Sequence, residues 1–270
     1  DIIHSHCPFA STVLARLVRE ATHAPIVFTY HTKFDVDIAN TIKSELIQKE
    51  TINAIVRNIS ACDEVWAVSK GAGENLKSLG YEGEYRVVSN GVDFEKGRID
   101  EKTVAKVTAG FDLPEDIPVF LFVGRLHNYK GLPMIADAMI RLTEAGVDYR
   151  MIFIGKGPDA AGIHEKIKQA GITLDIPDDE ADEGSRTYKT IEGRADRKGR
   201  VLFVGPIHDR NVLRAWNTRA DLFLFPSTYD TNGLVVREAA ACGLASVLVK
   251  DSCASEGITD GRNGYMIEEN

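Results

Sequence analysis

The chain has 270 residues, 44% hydrophobic and 27% charged, a soluble globular profile with room for two modest domains. A formal net charge of −8 argues against bulk attraction to nucleic acid, and no basic or amphipathic patch stands out for a membrane surface. The four cysteines (Cys7, Cys62, Cys242, Cys253) lack metal-ligand spacing, and no signal peptide or membrane-spanning run is present, so reduced thiols in a cytoplasmic protein are the expectation.

The chain opens on Asp1-Ile-Ile-His4, a strand with no initiating Met, and a piece of a longer protein is expected. A turn carrying His6 follows, and then Leu14, Leu17 and Val18 give residues 11–22 helical spacing. Residues 25–30 form a second strand that ends at His31. Two strands that each end in histidine, with a helix between, make a βαβ unit. Ligands of open parallel sheets sit at the carboxyl ends of strands, where His6 and His31 fall. A single loop histidine is more often structural or solvated, but two at equivalent strand ends point towards function. Residues 33–60 read as one long, mostly helical stretch on the spacing of Ile42, Leu46, Ile52, Ile55 and Val56. Residues 63–68 form a strand, 69–80 a capped helix ending on Gly80, 85–89 another strand, and 90–93 an Asn-Gly turn. Residues 94–118 are polar, with Gly97 and Pro114, and read as an interdomain linker carrying one short helix. The expected domains are 1–108 and 109–270.

The second domain begins at Val119-Phe-Leu-Phe-Val123, an apolar strand of the kind buried on both faces. Arg125 and Lys130 place two cations beyond its carboxyl end, ahead of a helix over residues 132–145. Either cation alone would read as a solvated loop charge; a diphosphate is the natural ligand for the pair. A strand over 149–154, a Gly-Pro turn at 155–158 and a helix over 159–170 follow. The acidic run from Asp175 to Gly184 reads as an exposed, mobile insertion. Then come a strand over 201–204, a turn at Gly205-Pro206-Ile207, and a short helix over 212–218.

An apolar strand, 221–226, leads into the stretch around which the chain is organised, residues 227–243. Thr231 or Asn232 is suited to cap a helix, Gly233 permits close backbone approach, and Gly243 is a helix stop. Free N–H groups and the positive dipole end make such a helix start an anion site. Asp230 precedes it and Glu238 lies two turns inside, with backbones about 10 Å apart. That spacing suits a ligand with a phosphate between two hydroxylated rings, the shape of a nucleotide-sugar. The alternative is a surface loop followed by a helix with one exposed glutamate. A strand over 245–249 and a glycine-rich closing turn from Gly257 end the chain.

The stretch from Asp230 to Gly243 resembles the E-x7-E signature of retaining family-4 glycosyltransferases, with Asp230 for the usual first Glu and Asn232 for the usual Phe. Residues 124–131 resemble the same family's G-R-L-x-x-x-K-G run, and 90–93 its N-G-V-D turn. The histidines resemble its D-x-x-H-x-H-x-P and T-x-H-T segments, 155–158 its G-x-G-P turn, and 257–267 its closing motif. The resemblance covers the whole chain. It implies an α/β protein of the GT-B fold: two Rossmann-like parallel-sheet domains facing a cleft, the first truncated at its N-terminus. It implies that Arg125 and Lys130 hold the donor diphosphate, with help from the backbone at Asn232, Gly233 and Leu234. Glu238 would bind ribose, Asp230 the donor sugar, and Ile207 would border the base. His6 and His31 would face the acceptor.

The implied activity is transfer of a hexose, glucose by default, from a UDP-sugar to an acceptor hydroxyl. Arg125, Lys130, Asp230 and His31 would do the chemistry, with no metal and no cofactor. The acceptor is left open among a lipid, a sugar and a small polyol. Peripheral contact with the inner face of the membrane is left open too, through residues preceding Asp1. The alternatives are a nucleotide-sugar epimerase or sugar phosphorylase on the same scaffold, and a non-catalytic nucleotide-sugar-binding module.

Overall fold

The apolar runs of the sequence become the inner strands of two sheets. A computed structural model describes residues 1–178 and 187–269. Two compact units emerge, and neither is one continuous stretch. The first comprises Asp1–Gly91, Tyr229–Gly233 and Asp251–Glu256; the second comprises Val92–Thr228, Leu234–Lys250 and the residues from Gly257 on.

The first unit runs β1 (Ile3–Ser5), α1 (Ala10–Thr22), β2 (Ile26–Tyr30), α2 (Phe34–Thr41), α3 (Glu45–Ser60), β3 (Glu64–Ala67), α4 (Lys70–Ser78) and β4 (Arg86–Val87). The strands lie in the order β1-β2-β3-β4, all parallel. β2 is buried at every residue. Its Phe28 and Tyr30 share a core with Ile38, Ile55, Ile59 and Val65. Residues 33–60 are mostly helical, as expected, but divided into two helices. One helix over that span would be about 40 Å long and could not return to the same core. The chain breaks after α2, where Ile42 is extended, and the Gln48 side-chain amide donates to the Ile42 carbonyl at 2.6 Å. The start of α4 is capped as its sequence predicts, with Ser69 Oγ accepting from the Ala72 N–H at 3.0 Å. The Glu256 carboxylate accepts from the N–H groups of Lys70 and Gly71, so three of the four orphan donors are satisfied.

The second unit runs α5 (Glu101–Val107), β5 (Val119–Val123), α6 (Leu132–Glu144), β6 (Arg150–Ile154), α7 (Ala160–Gln169), β7 (Thr173–Pro177), β8 (Tyr188–Ile191), β9 (Arg200–Gly205), α8 (Arg210–Arg219), β10 (Leu222–Phe225), α9 (Leu234–Ala241), β11 (Ser246–Val249) and β12 (Gly264–Ile267). Residues 94–118, read from sequence as a linker, lie with this unit: α5 packs against α8, and the Gly97 N–H donates to the Ala241 carbonyl. The acidic run expected to be an exposed insertion begins instead inside β7. Asp175 is buried there because Arg200 neutralises it; residues 179–184 of that run lie outside the described residues. The closing glycine-rich turn adds β12 at the sheet edge.

Strand order in this sheet is β12-β11-β10-β5-β6-β9-β7-β8, parallel except for the β7–β8 pair. From β5 the chain first builds outward through β6, then returns to build β10, β11 and β12 on the other side. The order thus reverses between β5 and β10. Loops leaving the carboxyl ends of strands at such a reversal form the ligand crevice of open α/β sheets. Among the described residues, no helix is long and apolar enough to cross a membrane.

Candidate functional site

The loop from Gly124 to Gly131 leaves β5 at this reversal. Gly131 has φ +80°, and a Cβ there would lie 2.3 Å from the Pro226 carbonyl oxygen at the end of β10, so only glycine allows the approach. On its other side the loop meets the turn after β6. A Cβ on Gly155 would lie 1.9 Å from the Gly124 carbonyl oxygen, and the Leu126 N–H donates to the Lys156 carbonyl at 3.0 Å. Asp159 finishes the clamp by accepting from the Asn128 N–H at 2.8 Å.

Two cations ride on this clamped loop, and they differ. Arg125 is exposed, and its side chain has no partner among the described residues. Lys130, expected in an open loop, ends a single 3-10 turn, Asn128–Lys130, and is only 9% exposed. Its Nζ lies 5.6 Å from the Tyr129 ring centroid and 5.7 Å from that of Phe225, and two aromatic faces favour a cation held there.

α9 follows β10. Leu234 opens it and is exposed, while Val236 and Ala239 face inward. Glu238, one turn further on, has a side chain 13% exposed, with Oε1 3.0 Å from Arg210 Nη1. Arg210 also pairs with Asp93 and lies over the Phe94 ring, 4.5 Å from its centroid. Ile207, in the turn after β9, is buried. Arg125, Lys130, Ile207, Leu234 and Glu238 therefore all follow the carboxyl ends of strands in the second sheet. Sequence reasoning missed Arg210, because no motif marks it.

The remaining predicted residues belong to the first unit. At the carboxyl ends of β1 and β2, His6 Nδ1 lies 2.8 Å from His31 Nε2, so one ring donates and the other accepts. His4 bonds Thr29 Oγ1 at 2.7 Å, and its ring centroid is 4.2 Å from that of His6. Burial lowers the pKa of His31, and the nearby charges of His6 and His4 lower it further. Burial and His6 act on His4 in the same direction.

The segment Tyr229–Gly233 packs beside this cluster. Thr231 Oγ1 donates to the His31 carbonyl at 2.5 Å, Asn232 Nδ2 donates to the Val68 carbonyl, and Tyr229 bonds Asp37. The expectation that Thr231 or Asn232 caps α9 is corrected: the helix begins at Leu234 with Gly233 directly before it, and the Asn232 Oδ1 that would accept from its N–H groups bonds none of them. Asn232 Oδ1 is buried and has no hydrogen-bond partner among the described residues. Gly233 takes a left-handed φ of +60° directly before α9, and Asp230 is half-buried. Among the described residues, no cluster of three or more His, Cys, Asp or Glu could hold a metal ion.

Two family models match the chain: one described as Glycosyl transferases group 1, over residues 117–270, and one described as Glycosyltransferase Family 4, over residues 1–96. The chain is 26% identical over 279 residues to D-inositol 3-phosphate glycosyltransferase 2 of Catenulispora acidiphila, covering 99% of this chain and 58% of that protein. It is 22% identical over 281 residues to the alpha-monoglucosyldiacylglycerol synthase of Acholeplasma laidlawii, covering 100% and 64%. Among solved structures, Anabaena HepE in complex with UDP and glucose superimposes with a TM-score of 0.73 at 18% identity, covering 99% of this chain and 64% of that one. At that identity the structural likeness speaks to fold alone. The chain spans about three fifths of the length of these proteins.

Proposed function

The chain belongs to the Glycosyl transferases group 1 family, and from that premise we propose that it serves a retaining glycosyltransferase. The enzyme moves a hexose, glucose by default, from a nucleotide-diphospho-sugar to an acceptor hydroxyl. One observation supports this reading above the others: Arg125 and Lys130 follow β5, Glu238 follows β10, and the strand order reverses between those two strands. Two cations and a carboxylate at such a crevice match the phosphates and the diol of a nucleoside diphosphate. The GT-B fold of HepE, a protein solved with UDP and glucose, is consistent with it.

In the proposed reaction, the bond between sugar C1 and the β-phosphate oxygen breaks, and its electron pair stays with the phosphate. Arg125, Lys130 and the main-chain N–H groups at Asn232, Gly233 and Leu234 stabilise the charge that grows there, without reorganising as it grows. The acceptor oxygen attacks C1 from the face the diphosphate leaves, so configuration is retained, and its proton passes to the departing phosphate oxygen. Glu238 accepts from the ribose hydroxyls, Ile207 borders the base and Asp230 holds hydroxyls of the donor sugar. His31, tethered to His6 at 2.8 Å, orients the acceptor hydroxyl. Side-chain cations carry the diphosphate, and no metal has a role. The acceptor is a lipid, a sugar or a small polyol. The relatives' names, with their inositol phosphate and glucosyldiacylglycerol, keep polyol and lipid foremost.

The test is UDP release from UDP-glucose with each acceptor class, with and without a chelator, and the anomeric configuration of the product by NMR. Acceptor-dependent release giving an α-linked product is expected, unchanged by chelation. A β-linked product overturns retention. Loss of activity on chelation, restored by magnesium or manganese, overturns the metal-free mechanism. Interconversion of the donor without an acceptor makes the protein an epimerase.

A further inference from the structure

We propose that Arg210 is the positioning residue for the ribose-binding carboxylate. The proposal rests on the reading of Glu238 as the ribose acceptor and deepens it. Glu238 sits on α9 between the inward-facing Val236 and Ala239, with its side chain 13% exposed. A carboxylate so placed needs a partner, and Arg210 supplies it with Nη1 3.0 Å from Oε1.

Arg210 is itself held from three directions. Its Nη2 is taken by Asp93, its guanidinium lies 4.5 Å from the Phe94 ring centroid, and its backbone opens α8. The start of that helix is fixed by Asp209, whose carboxylate accepts from the N–H groups of Asn211 and Val212 at 2.8 and 3.1 Å. Two carboxylates share one guanidinium, so this is not an anion site. A planar fork divided between two acids is instead a strut, and a flexible ammonium could replace it only in part.

The consequence lies in the second oxygen. With Oε1 fixed on Arg210, Glu238 offers Oε2 in one orientation to the diol of a nucleoside. A long side chain fixed before binding does not have to be immobilised by the ligand, and affinity rises accordingly. Arg210 never touches the ligand in this arrangement; it acts through Glu238.

Calorimetric titration with UDP, GDP and ADP first identifies the base the wild-type chain binds. The tightest of them is then compared with its 2′,3′-dideoxy counterpart, which lacks the diol. Arg210→Met is expected to weaken the ribose nucleotide roughly three- to tenfold and to leave the dideoxy form unchanged. Arg210→Lys should fall between Arg210→Met and wild type. In a Glu238→Gln background, adding Arg210→Met should cause no further loss, because the two act as one unit. Asp93→Asn loosens the strut without removing it, at a side chain 74% exposed. It should give a smaller diol-specific loss, and it keeps the test alive if Arg210→Met folds poorly. Equal weakening of both nucleotides, or no weakening of either, overturns the role of Arg210. A wild-type chain that binds none of the three nucleotides overturns the donor-site reading instead, and with it the proposal.

Discussion

The two ends of the second sheet use charge in opposite ways. At the amino ends, Arg150 opens β6 and Arg200 opens β9, side by side in register. Arg150 donates to the Asp112 and Tyr149 carbonyls and to the Asp112 and Asp148 carboxylates. Arg200 reaches Asp175 with Nε at 2.5 Å and Nη2 at 2.8 Å. A cavity of about 260 Å³ lies beside them, yet every guanidinium there is committed to the protein. At the carboxyl ends, Arg125 has no side-chain partner among the described residues, and Glu238 has one guanidinium that it shares with Asp93. Cations and carboxylates occur at both ends. What separates them is whether neighbours consume their hydrogen-bonding capacity, and that separates a brace from a site.

The largest expected effect breaks the brace. Arg150, with a side chain 10% exposed, bonds two carboxylates that are 47% and 36% exposed, so water takes up the charges left when Met replaces it, and the loss is that of the forfeited bonds, each about 1.5–3 kcal/mol for a bond to a charged group. Chemical denaturation should show that loss, with UDP affinity of the folded protein unchanged. A loss of UDP affinity at unchanged stability would exchange the roles of the two ends.

Next come the cations of the site. Arg125→Ala should weaken UDP binding by about 1.5–3 kcal/mol, the range for a bond to a charged group, and leave the melting temperature alone. Lys130→Ala should weaken binding similarly but also lower the melting temperature, because the side chain is buried against Tyr129 and Phe225. Calorimetry and thermal unfolding on the same samples decide this, and unchanged UDP affinity in both variants removes the phosphate assignment.

A smaller effect divides the acids. Glu238→Gln should weaken UDP itself by about 1 kcal/mol, the value of an ordinary hydrogen bond, whereas Asp230→Asn should leave UDP alone and slow turnover of the intact donor. Equal loss of plain UDP binding in both variants would end that division.

The smallest effect concerns the histidines of the first unit. Burial and mutual repulsion hold His31 and His4 below their unfolded value of about 6.5. The unfolded chain then binds more protons in that window. The stability contribution is complete above about pH 6.5 and is lost as pH falls towards the folded values. Melting temperatures measured across that window should decline on acidification, and His31→Gln should flatten the decline.

Legibility followed burial. β2, β5, β6 and β9 are apolar runs, and each became an inner strand. β8 and β12 lie at or near sheet edges with half-exposed residues, so their composition carried no alternation to read. The break between α2 and α3 was invisible because helical spacing continues through Ile42, and only the shared core demands a turn. The placement of Arg125, Lys130 and Glu238 beyond the carboxyl ends of β5 and β10 was legible from the motifs that carry them. The burial of Lys130 was not, since Tyr129 is adjacent in sequence but Phe225 comes from a distant strand. Arg210 was illegible for the same reason, because its partners Asp93 and Glu238 are remote in sequence.

The interleaving of the two compact units has a consequence for exchanging parts between relatives. A chimera joined at Gly91–Val92, made to transplant one donor preference onto another acceptor preference, would not cut along the units. The transplanted part would carry Tyr229–Gly233 with it, five residues that pack with the first unit. Thr231 grips the His31 carbonyl and Asn232 the Val68 carbonyl, so the incoming segment must fit a backbone it did not evolve against. Exchange along the two units therefore takes five junctions, with Asp230 travelling alongside the histidines rather than alongside Glu238.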